Sequence, residues 1–438
     1  MAILEQILFL VALAVAVLLL RKRILRIKAN IHLGKPTPVA GDASIRWRNM
    51  LLVAFGQQKM FKRFIPAFFH FWIYAGFLII NLEVLEFVID GLAGTHRVFA
   101  PLLGSVYHVL INFFEFLAVA VLLACIVFLI RRNVLKVQRF WSAEMGGWPR
   151  LDANLILVIE ITLMVAILTM NATDQLLQSR SDHYAQTGPL FFSSWLMPLF
   201  ESLSTGTLVL LERMTWWFHI LGILGFAVYV TYSKHLHIFL AFPHTYYSGI
   251  EPKGHIENMP VVTNEVKSML GLTAGEPPAA GGEPGRFGAK DVNDLSRVQL
   301  MAAYACTECG RCTSECPANI TGKKLSPRKI MMDTRDRMEE IGHSIATGGA
   351  GLNDGKSLLG DYISKEEINA CTSCNACVEA CPVLINPLSI IIEMRRYVAM
   401  EESGTPAQWN AMFQNIETSF APWKFPPSDR FKWAEDQA

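Results

Sequence analysis

Eight of the nine cysteines in this chain fall into two motifs, each with the spacing Cys-x2-Cys-x2-Cys-x3-Cys-Pro. The eight positions are Cys306, Cys309, Cys312, Cys316, Cys371, Cys374, Cys377 and Cys381. This spacing is typical of bacterial ferredoxins, because three closely spaced thiolates wrap three corners of a [4Fe–4S] cube while a distant cysteine completes the fourth. These residues therefore predict one-electron transfer through two cubane clusters.

The ligands of the two clusters are predicted to cross between the motifs, because in two-cluster ferredoxins the last cysteine of each motif serves the other cluster. We predict one cluster on Cys306, Cys309, Cys312 and Cys381 and a second on Cys371, Cys374, Cys377 and Cys316. Zinc sites and disulfides are the alternatives. Zinc sites seldom show a triple cysteine followed by Cys-Pro, and the cytoplasmic location predicted below disfavours disulfides.

Four histidines lie in apolar stretches and could bind haem: His70, His108, His219 and His237. His219 and His237 are five complete helical turns apart, about 27 Å, so both lie on one face near opposite membrane surfaces. Bis-imidazole haem iron takes one histidine from each of two facing helices. Matching depths predict an inner b haem on His70 and His237 and an outer b haem on His108 and His219, so the chain would hold one or two haems.

Other histidines and four acids define the alternatives within the membrane. His235 is about 160° round the helix from His219 and is predicted to face elsewhere. His96 and His183 would replace His108 if it is not a ligand, and the membrane histidines could instead only hydrogen-bond between helices. Ionisable residues inside spans are costly. Four acids are therefore candidates for a quinone site or its proton path, although the first two could simply lie at the outer interface: Glu83, Glu86, Glu115 and Glu160.

Five apolar stretches must position these histidines, and each is long enough to cross a bilayer. They are residues 3–20, 65–89, 104–130, 152–171 and 215–240. Residues 190–211 are also apolar, but Pro198 and Glu201 interrupt them. We predict that this sixth stretch lies along the outer membrane surface.

The loops between the stretches predict the orientation of the chain. The loops 21–63 and 131–150 carry sixteen Lys and Arg residues, whereas 90–103 and 172–214 carry three. By the positive-inside rule the N-terminus lies outside, and the cysteine-rich half lies in the cytoplasm. The first stretch is predicted to be a retained anchor, because its basic residues follow it. The chain is therefore predicted to be an integral protein of the cytoplasmic (inner) membrane.

Composition agrees with a chain of two unlike halves. Of the 438 residues, 52% are hydrophobic and 18% are charged, which is too apolar for an ordinary soluble protein and excludes a disordered one. The net charge of +1 argues against a general binder of nucleic acid or other polyanions. Residues 1–250 carry 20 Lys and Arg against 13 Asp and Glu, and residues 251–438 carry 19 against 25. A basic, apolar half is thus joined to an acidic, soluble one.

We predict an all-α fold, with a five-helix transmembrane b-type cytochrome domain and an α-helical ferredoxin domain that carries two [4Fe–4S] clusters. The predicted domains are 1–245 for the membrane, 246–288 for a juxtamembrane segment and linker, 289–403 for the ferredoxin domain and 404–438 for an aromatic tail. Residues 271–288 are rich in Gly, Pro and Ala and predict the flexible linker itself. Ser326-Pro327 and Asn386-Pro387 predict capped helices over 327–341 and 387–402.

Two resemblances to known families support this reading. The run WFH at 217–219 through SKHLHIF at 233–239 is similar to the fifth helix of the nitrate reductase gamma subunit family, which binds b haems. His70, followed by FWIYAGF, resembles that family's second-helix ligand. The family's other second-helix histidine would fall at Ile80, so His108 replaces it or the outer haem is missing.

Residues 287–330 resemble the iron–sulfur module of membrane oxidoreductases related to heterodisulfide reductase. That group includes electron-transfer-flavoprotein:menaquinone oxidoreductases and subunits of the sulfite-reduction membrane complex. The resemblance implies a following Cys-Cys-Gly-rich domain, and the tail 415–438, with Trp423, Arg430 and Trp433, looks like its lead-in. Because no cysteine follows Cys381, we expect that domain on a separate Cys-rich subunit. The tail is predicted to dock it, or otherwise to pack on the ferredoxin domain.

The predicted function is that of an oxidoreductase subunit that passes electrons between a cytoplasmic partner and the quinone pool, with menaquinone the quinone that the resemblance implies. The partner could be an electron-transfer flavoprotein acting through the Cys-rich subunit. One alternative is reverse flow, from quinol to a cytoplasmic disulfide or sulfur reductase. A second is a non-catalytic anchor and wire with quinone bound elsewhere, and a third is a zinc-stabilised membrane scaffold.

Overall fold

The computed structural model describes residues 3–39, 41–181, 184–272 and 286–435. The structure is 71% helical and has no strand among these described residues, which confirms the predicted all-α class. Residues 273–285 of the predicted linker, and His183, lie outside the described part.

Five long helices are long and apolar enough to cross a membrane, as predicted. They are α1 (Ile3–Ile31), α2 (Phe64–Ala93), α3 (Ser105–Asn133), α4 (Trp148–Gln178) and α5 (Thr205–Val230). The remaining longer helices are α6 (His237–Tyr247), α7 (Pro260–Met269), α8 (Arg297–Ala305), α9 (Pro327–Ala346), α10 (Pro387–Met400) and α11 (Ala407–Ser419).

Shorter elements connect these helices. The short α-helices are Ala43–Asn49, Ala100–Leu103, Met197–Phe200, Arg311–Ser314, Pro317–Ile320, Lys365–Asn369, Ala376–Ala380 and Lys432–Glu435. Single turns of 3-10 or π type are Met50–Phe55, Met60–Lys62, Gln138–Phe140, Ala143–Met145, Ser193–Trp195, Lys234–Leu236, Val292–Asp294, Gly351–Asn353, Leu358–Tyr362 and Pro427–Phe431.

The fifth membrane helix differs from its prediction at both ends. It begins at Thr205 because the Ser204 hydroxyl accepts a hydrogen bond from the Thr207 amide at 3.2 Å. The prediction of one surface helix over 190–211 is therefore wrong: its last residues belong to α5, and the others form short turns. The helix also ends early, at Val230, and a turn at Lys234–Leu236 precedes α6.

The five helices pack as a bundle in which α4 contacts both α3 and α5, α2 contacts α3, and α1 contacts α2 and α5. Large and apolar side chains fill its centre, among them Phe9, Phe87, Leu163 and Trp216. Cys125 is fully buried in the same cluster. Many apolar side chains on the outer faces are exposed, which is the pattern of helices that face lipid.

A second core is formed mainly by α8, α9, α10 and the loops between them, and Ile27 of α1 and Leu236 of the turn after α5 also contribute to it. The predicted caps of its two main helices are confirmed. Ser326 accepts from the Lys329 amide at 3.4 Å, and Asn386 accepts from the Ser389 amide at 3.0 Å. The two motif-following helices therefore begin at Pro327 and Pro387, as predicted from the sequence.

Ion pairs with at least one buried partner join the two halves. The pairs are Arg23 with Glu339, Lys234 with Glu308, and Arg328 with Glu144. Each links a membrane helix or its connecting loop to the cysteine-rich half. Lys234 and Glu308 are both less than a tenth exposed, so this pair fixes the turn after α5 against the first cysteine motif.

Arg337 of α9 is fully buried within the cysteine-rich half. Its guanidinium donates to Asp291 at 2.8 Å and to Asp354 at 2.6 Å. The hydrogen bond from Arg337 lowers the pKa of Asp354 to about 2. Because the folded pKa lies below the usual value, this pair stabilises the fold above about pH 4 and loses that effect as the pH falls toward 2.

We expect Arg337→Met to lower the free energy of unfolding by about 3–5 kcal/mol, because it leaves the buried carboxylate of Asp291 and the partly buried one of Asp354 without their counter-charge. The matched control is Arg396→Met, which removes a partly exposed pair with Glu393 and should cost less than about 1 kcal/mol. Thermal or denaturant unfolding of the full chain measures both. Equal, small losses in the two variants would contradict a central role for Arg337.

Candidate functional site

Four cysteines converge where α8 ends and the second motif closes. All four line one small cavity. They are Cys306, Cys309, Cys312 and Cys381. The first motif turns sharply here, with positive φ at Glu308 (53°) and at Gly310 (70°). The set brought together is the one predicted for the first cluster, with the last cysteine contributed by the second motif.

The other four cysteines form a second group nearer the surface. Burial, followed by the neighbouring charges of Cys371 and Cys316, raises the pKa of Cys377 to about 12. Cys316 lies close enough to Cys371 and Cys374 for their charges to raise its pKa as well, after burial. Cys374 is solvent-exposed. Among the described residues, no three His, Cys, Asp or Glu side chains lie close enough together to bind one metal ion.

A cavity of about 400 Å³ runs through the membrane bundle. On α2 its lining extends from Pro66 to Val84, which is about 27 Å of helix. At one end, called here the cysteine end, it is lined by Cys309 and Val383, which also line the first cysteine cavity. At the other, called here the far end, it is lined by His219 and Val84.

His70 and His237 face each other near the cysteine end, with ring centroids 6.5 Å apart. A metal bonded to one nitrogen of each ring at about 2 Å would place the ring centres roughly 6 Å apart. Each Nδ1 has a partner: Gln57 Oε1 for His70 at 3.1 Å, and the Lys234 carbonyl for His237 at 3.2 Å. Such bonds fix a ring and leave Nε2 available as a ligand.

Cationic side chains line the same end of the cavity. They are Arg131, Arg132, Arg139, Lys234 and Arg311. Two buried nitrogens of Arg132, Nε and Nη2, have no hydrogen-bond partner. Desolvation by burial lowers the pKa of Arg139 to about 10. The Arg132 guanidinium stacks on the Phe140 ring at 4.5 Å, but its two buried nitrogens still need acceptors. This group of charges therefore fits an anionic ligand such as a carboxylate.

His235 also lines the cavity, and the prediction that it faces elsewhere is wrong. Its ring centroid lies 5.2 Å from that of His237 and 5.7 Å from that of Phe226. The prediction assumed one continuous helix, whereas the chain turns between α5 and α6. The hydroxyl of Ser233 accepts from the His235 amide at 3.1 Å and stabilises that turn.

The structure does not bring His108 to His219. His108 is partly exposed and does not line the cavity, and its Nε2 donates to the Pro189 carbonyl at 2.8 Å. The predicted pairing of these two residues therefore fails on geometry. His96 is no substitute, because it contacts Asp174 at 3.2 Å instead.

The four candidate acids divide into two kinds. Glu86 accepts from Tyr107 at 2.7 Å, and Glu115 accepts from the Ser193 hydroxyl and neighbouring amides, so both serve as hydrogen-bonded structural groups. Glu83 is buried, and its Oε1 has no partner. Glu160 lines the cavity.

The described part of the aromatic tail contains no buried residue. None of the residues in α11, in the turn Pro427–Phe431 or in Lys432–Glu435 is buried. Trp423 and Trp433 are 68% and 67% exposed.

Sequence reasoning missed Gln57, Arg132 and the pair of Lys234 with Glu308. One signal was present, because Lys234 is a charged residue inside a predicted span and such residues mark functional positions. The others become significant only in the folded chain.

Comparison with known proteins agrees with the cysteine geometry. Residues 305–385 match the model of a 4Fe–4S dicluster domain. The chain is 27% identical to the probable iron–sulfur-binding oxidoreductase FadF of Bacillus subtilis strain 168, over 99% of this chain and 61% of that protein. It is 25% identical to the EtfAB:quinone oxidoreductase of Syntrophomonas wolfei, over 88% of this chain and 53% of that protein.

A probable membrane-anchored ferredoxin of Chromohalobacter salexigens is 32% identical over 34% of this chain and 24% of its own length. Iron–sulfur subunits of heterodisulfide reductase are also homologues. No solved structure matches significantly. The homologues are iron–sulfur oxidoreductases, which confirms the resemblance drawn from residues 287–330. The chain spans about half to three fifths of the first two relatives.

Proposed function

We propose that this chain is a membrane-bound oxidoreductase subunit that passes electrons between a cytoplasmic partner and the quinone pool. One observation carries the proposal: Cys309 of the first cysteine group lines the same cavity as the facing pair of His70 and His237. Cys309 and Val383 belong to the lining of both cavities, so no further element separates the two groups. Neighbouring redox groups with no element between them are what electron transfer requires.

The proposed cluster ligands are the two groups of four cysteines described above, and the proposed haem b ligands are His70 and His237. Three features support haem at this position: the ring separation, the anchored Nδ1 atoms, and the unpaired Arg132 nitrogens, which would receive the propionates. When bound, the clusters and the haem supply one-electron chemistry, and the protein tunes their potentials through ligands and burial. The resemblance to the nitrate reductase gamma subunit supports the same assignment.

Cys374 is the exposed cysteine of the second group, and we propose that electrons enter or leave the chain there. A separate Cys-rich subunit would dock nearby, with the exposed aromatic tail as part of its binding surface. The name of the Syntrophomonas wolfei relative supports an electron-transfer flavoprotein as donor and a quinone, which we take to be menaquinone, as acceptor. The positive-inside pattern supports a location in the inner membrane, with residues 289–403 in the cytoplasm.

The heterodisulfide reductase homologues favour a second candidate, in which quinol oxidation reduces a cytoplasmic disulfide or sulfur substrate. In this candidate the same residues carry electrons in the opposite direction.

The test of the proposed function does not depend on the direction of electron flow. Protein purified without oxygen should show reduced haem bands when mixed with menadiol, and quinone should reoxidise it. If dithionite produces these bands and menadiol does not, the proposed link to quinone is wrong.

A further inference from the structure

The far end of the membrane cavity contains one imidazole without a facing partner. His219 Nδ1 lies 3.0 Å from the Leu163 carbonyl, so Nδ1 carries the proton and Nε2 is the acceptor. On the facing helix α2, the residues that line this region are Ile80, Asn81 and Val84, and none of them is an imidazole. Met164 follows Leu163 on α4 and belongs to the same wall as His219. The far end is therefore not built for a bis-imidazole haem.

This region is open to the bilayer side of α2. Leu78 lines the cavity and is 46% exposed, and Asn81, one turn further along, lines it and is exposed as well. Most of the surrounding wall is apolar, with Val121 and Ile223 among its residues. A mostly apolar pocket with few polar groups suits a lipid-soluble ring and its hydrocarbon chain.

One carboxyl group lines the same region, and a second, Glu83, does not line it but adjoins the lining residue Val84 on α2. Glu160 lines the cavity three residues before Leu163 on α4, and the described structure gives it no hydrogen-bond partner. Glu83 lies one turn before Phe87, whose ring centroid is 5.7 Å from that of His219, and Glu83 Oε1 is buried without a partner. Acids inside a membrane bundle without partners are suited to exchanging protons.

We propose that the far end, between His219 and Glu160, binds the headgroup of a quinone. The inference rests on the proposed function, since the iron–sulfur half must supply two electrons, one at a time. The quinone also takes up two protons, so that both carbonyl oxygens become hydroxyls. Glu160 delivers one of these protons and Glu83 the other, and each acid recovers its proton from water. The hydroxyl formed near His219 then donates a hydrogen bond to His219 Nε2.

The test compares variants of the full chain, purified with their cofactors. His219→Gln should keep the wild-type haem content and full reduction by dithionite, while menadiol reduces it at least about tenfold more slowly, the loss expected from one hydrogen bond to the substrate. Ile80→Phe narrows the same space from α2 and should cause a similar loss. His108→Gln is the control, because His108 lies outside the cavity, and it should behave as wild type.

Three results would overturn the inference. One is loss of haem in His219→Gln, which would make His219 an iron ligand. Another is wild-type reaction with menadiol in both His219→Gln and Ile80→Phe. The third is a wild-type protein that dithionite reduces and menadiol does not. Only the third also refutes the proposed function, so the two failures are distinguishable.

Discussion

Replacement of His237 by alanine is expected to yield a protein that retains both iron–sulfur clusters and contains almost no haem. The ring of His237 is half of the facing pair with His70, and its loss leaves one imidazole where two hold the iron. The haem content should fall from about one per chain to less than about a tenth of that, because removing an axial ligand opens the coordination sphere. Cluster iron should not change, because the cysteines are in another part of the chain.

Haem extraction and visible spectra of the purified variant measure this result. His70→Ala should behave like His237→Ala. His108→Ala should retain haem, because its imidazole bonds to the Pro189 carbonyl outside the cavity. His235→Ala is the stringent control, since His235 lines the cavity beside His237, whereas the recorded ring contact with His70 is that of His237. Full haem content in both His70→Ala and His237→Ala would refute the haem site.

Replacement of Cys381 by alanine is expected to remove the first cluster, although Cys381 belongs to the second motif. The structure places Cys381 in one cavity with Cys306, Cys309 and Cys312. Iron and acid-labile sulfide should each fall by about four per chain, as expected for one missing cube. Because the first cluster adjoins the membrane cavity, electrons from the second cluster should no longer reach the haem.

Electron paramagnetic resonance of the reduced protein distinguishes the two clusters. Wild-type protein should show the broadened spectrum of two coupled clusters, and Cys381→Ala should show one uncoupled cluster. The matched variant is Cys316→Ala, which should lose the second cluster and keep the first in contact with the haem. If Cys381→Ala instead removes the cluster bound by Cys371, Cys374 and Cys377, the crossed arrangement is wrong.

The cysteine groups could be predicted from the sequence because their geometry is local. Two-residue spacings determine how three thiolates surround a cube, and the proline after each motif restricts the chain that follows. The capped helices at Pro327 and Pro387 were predictable for the same reason, since a cap depends on neighbouring residues. The pair of His70 and His237 was predictable from depth alone, because helix length is proportional to residue number.

The positions of His235 and His108 depend on features that the periodicity of the sequence does not show. The periodicity of the apolar run predicts another face for His235, because the turn held by Ser233 is not visible as a break in hydropathy. His108 was placed at the correct depth, but the loop at Pro189 covers it and bonds its ring. Depth restricts which residues can meet, whereas the rotation of each helix depends on packing across the bundle.

The contact between the membrane half and the cysteine-rich half could likewise not be predicted from the sequence. Glu308 lies inside the first cysteine motif and has positive φ, and it pairs with Lys234 of the membrane half and with Arg335 of α9. Nothing in the spacing of these three residues relates them. Their pairing depends on how the cysteine-rich half docks on the bundle, and that docking places the first cysteine group against the cavity.

The central claim is that the chain holds two cubane clusters and one haem in a single path through the membrane cavity. The most direct test is the content of iron, acid-labile sulfide and haem in protein purified without oxygen. The account predicts roughly nine iron atoms, eight sulfides and one haem per chain. A preparation with no sulfide, or one with sulfide but without haem, would contradict it.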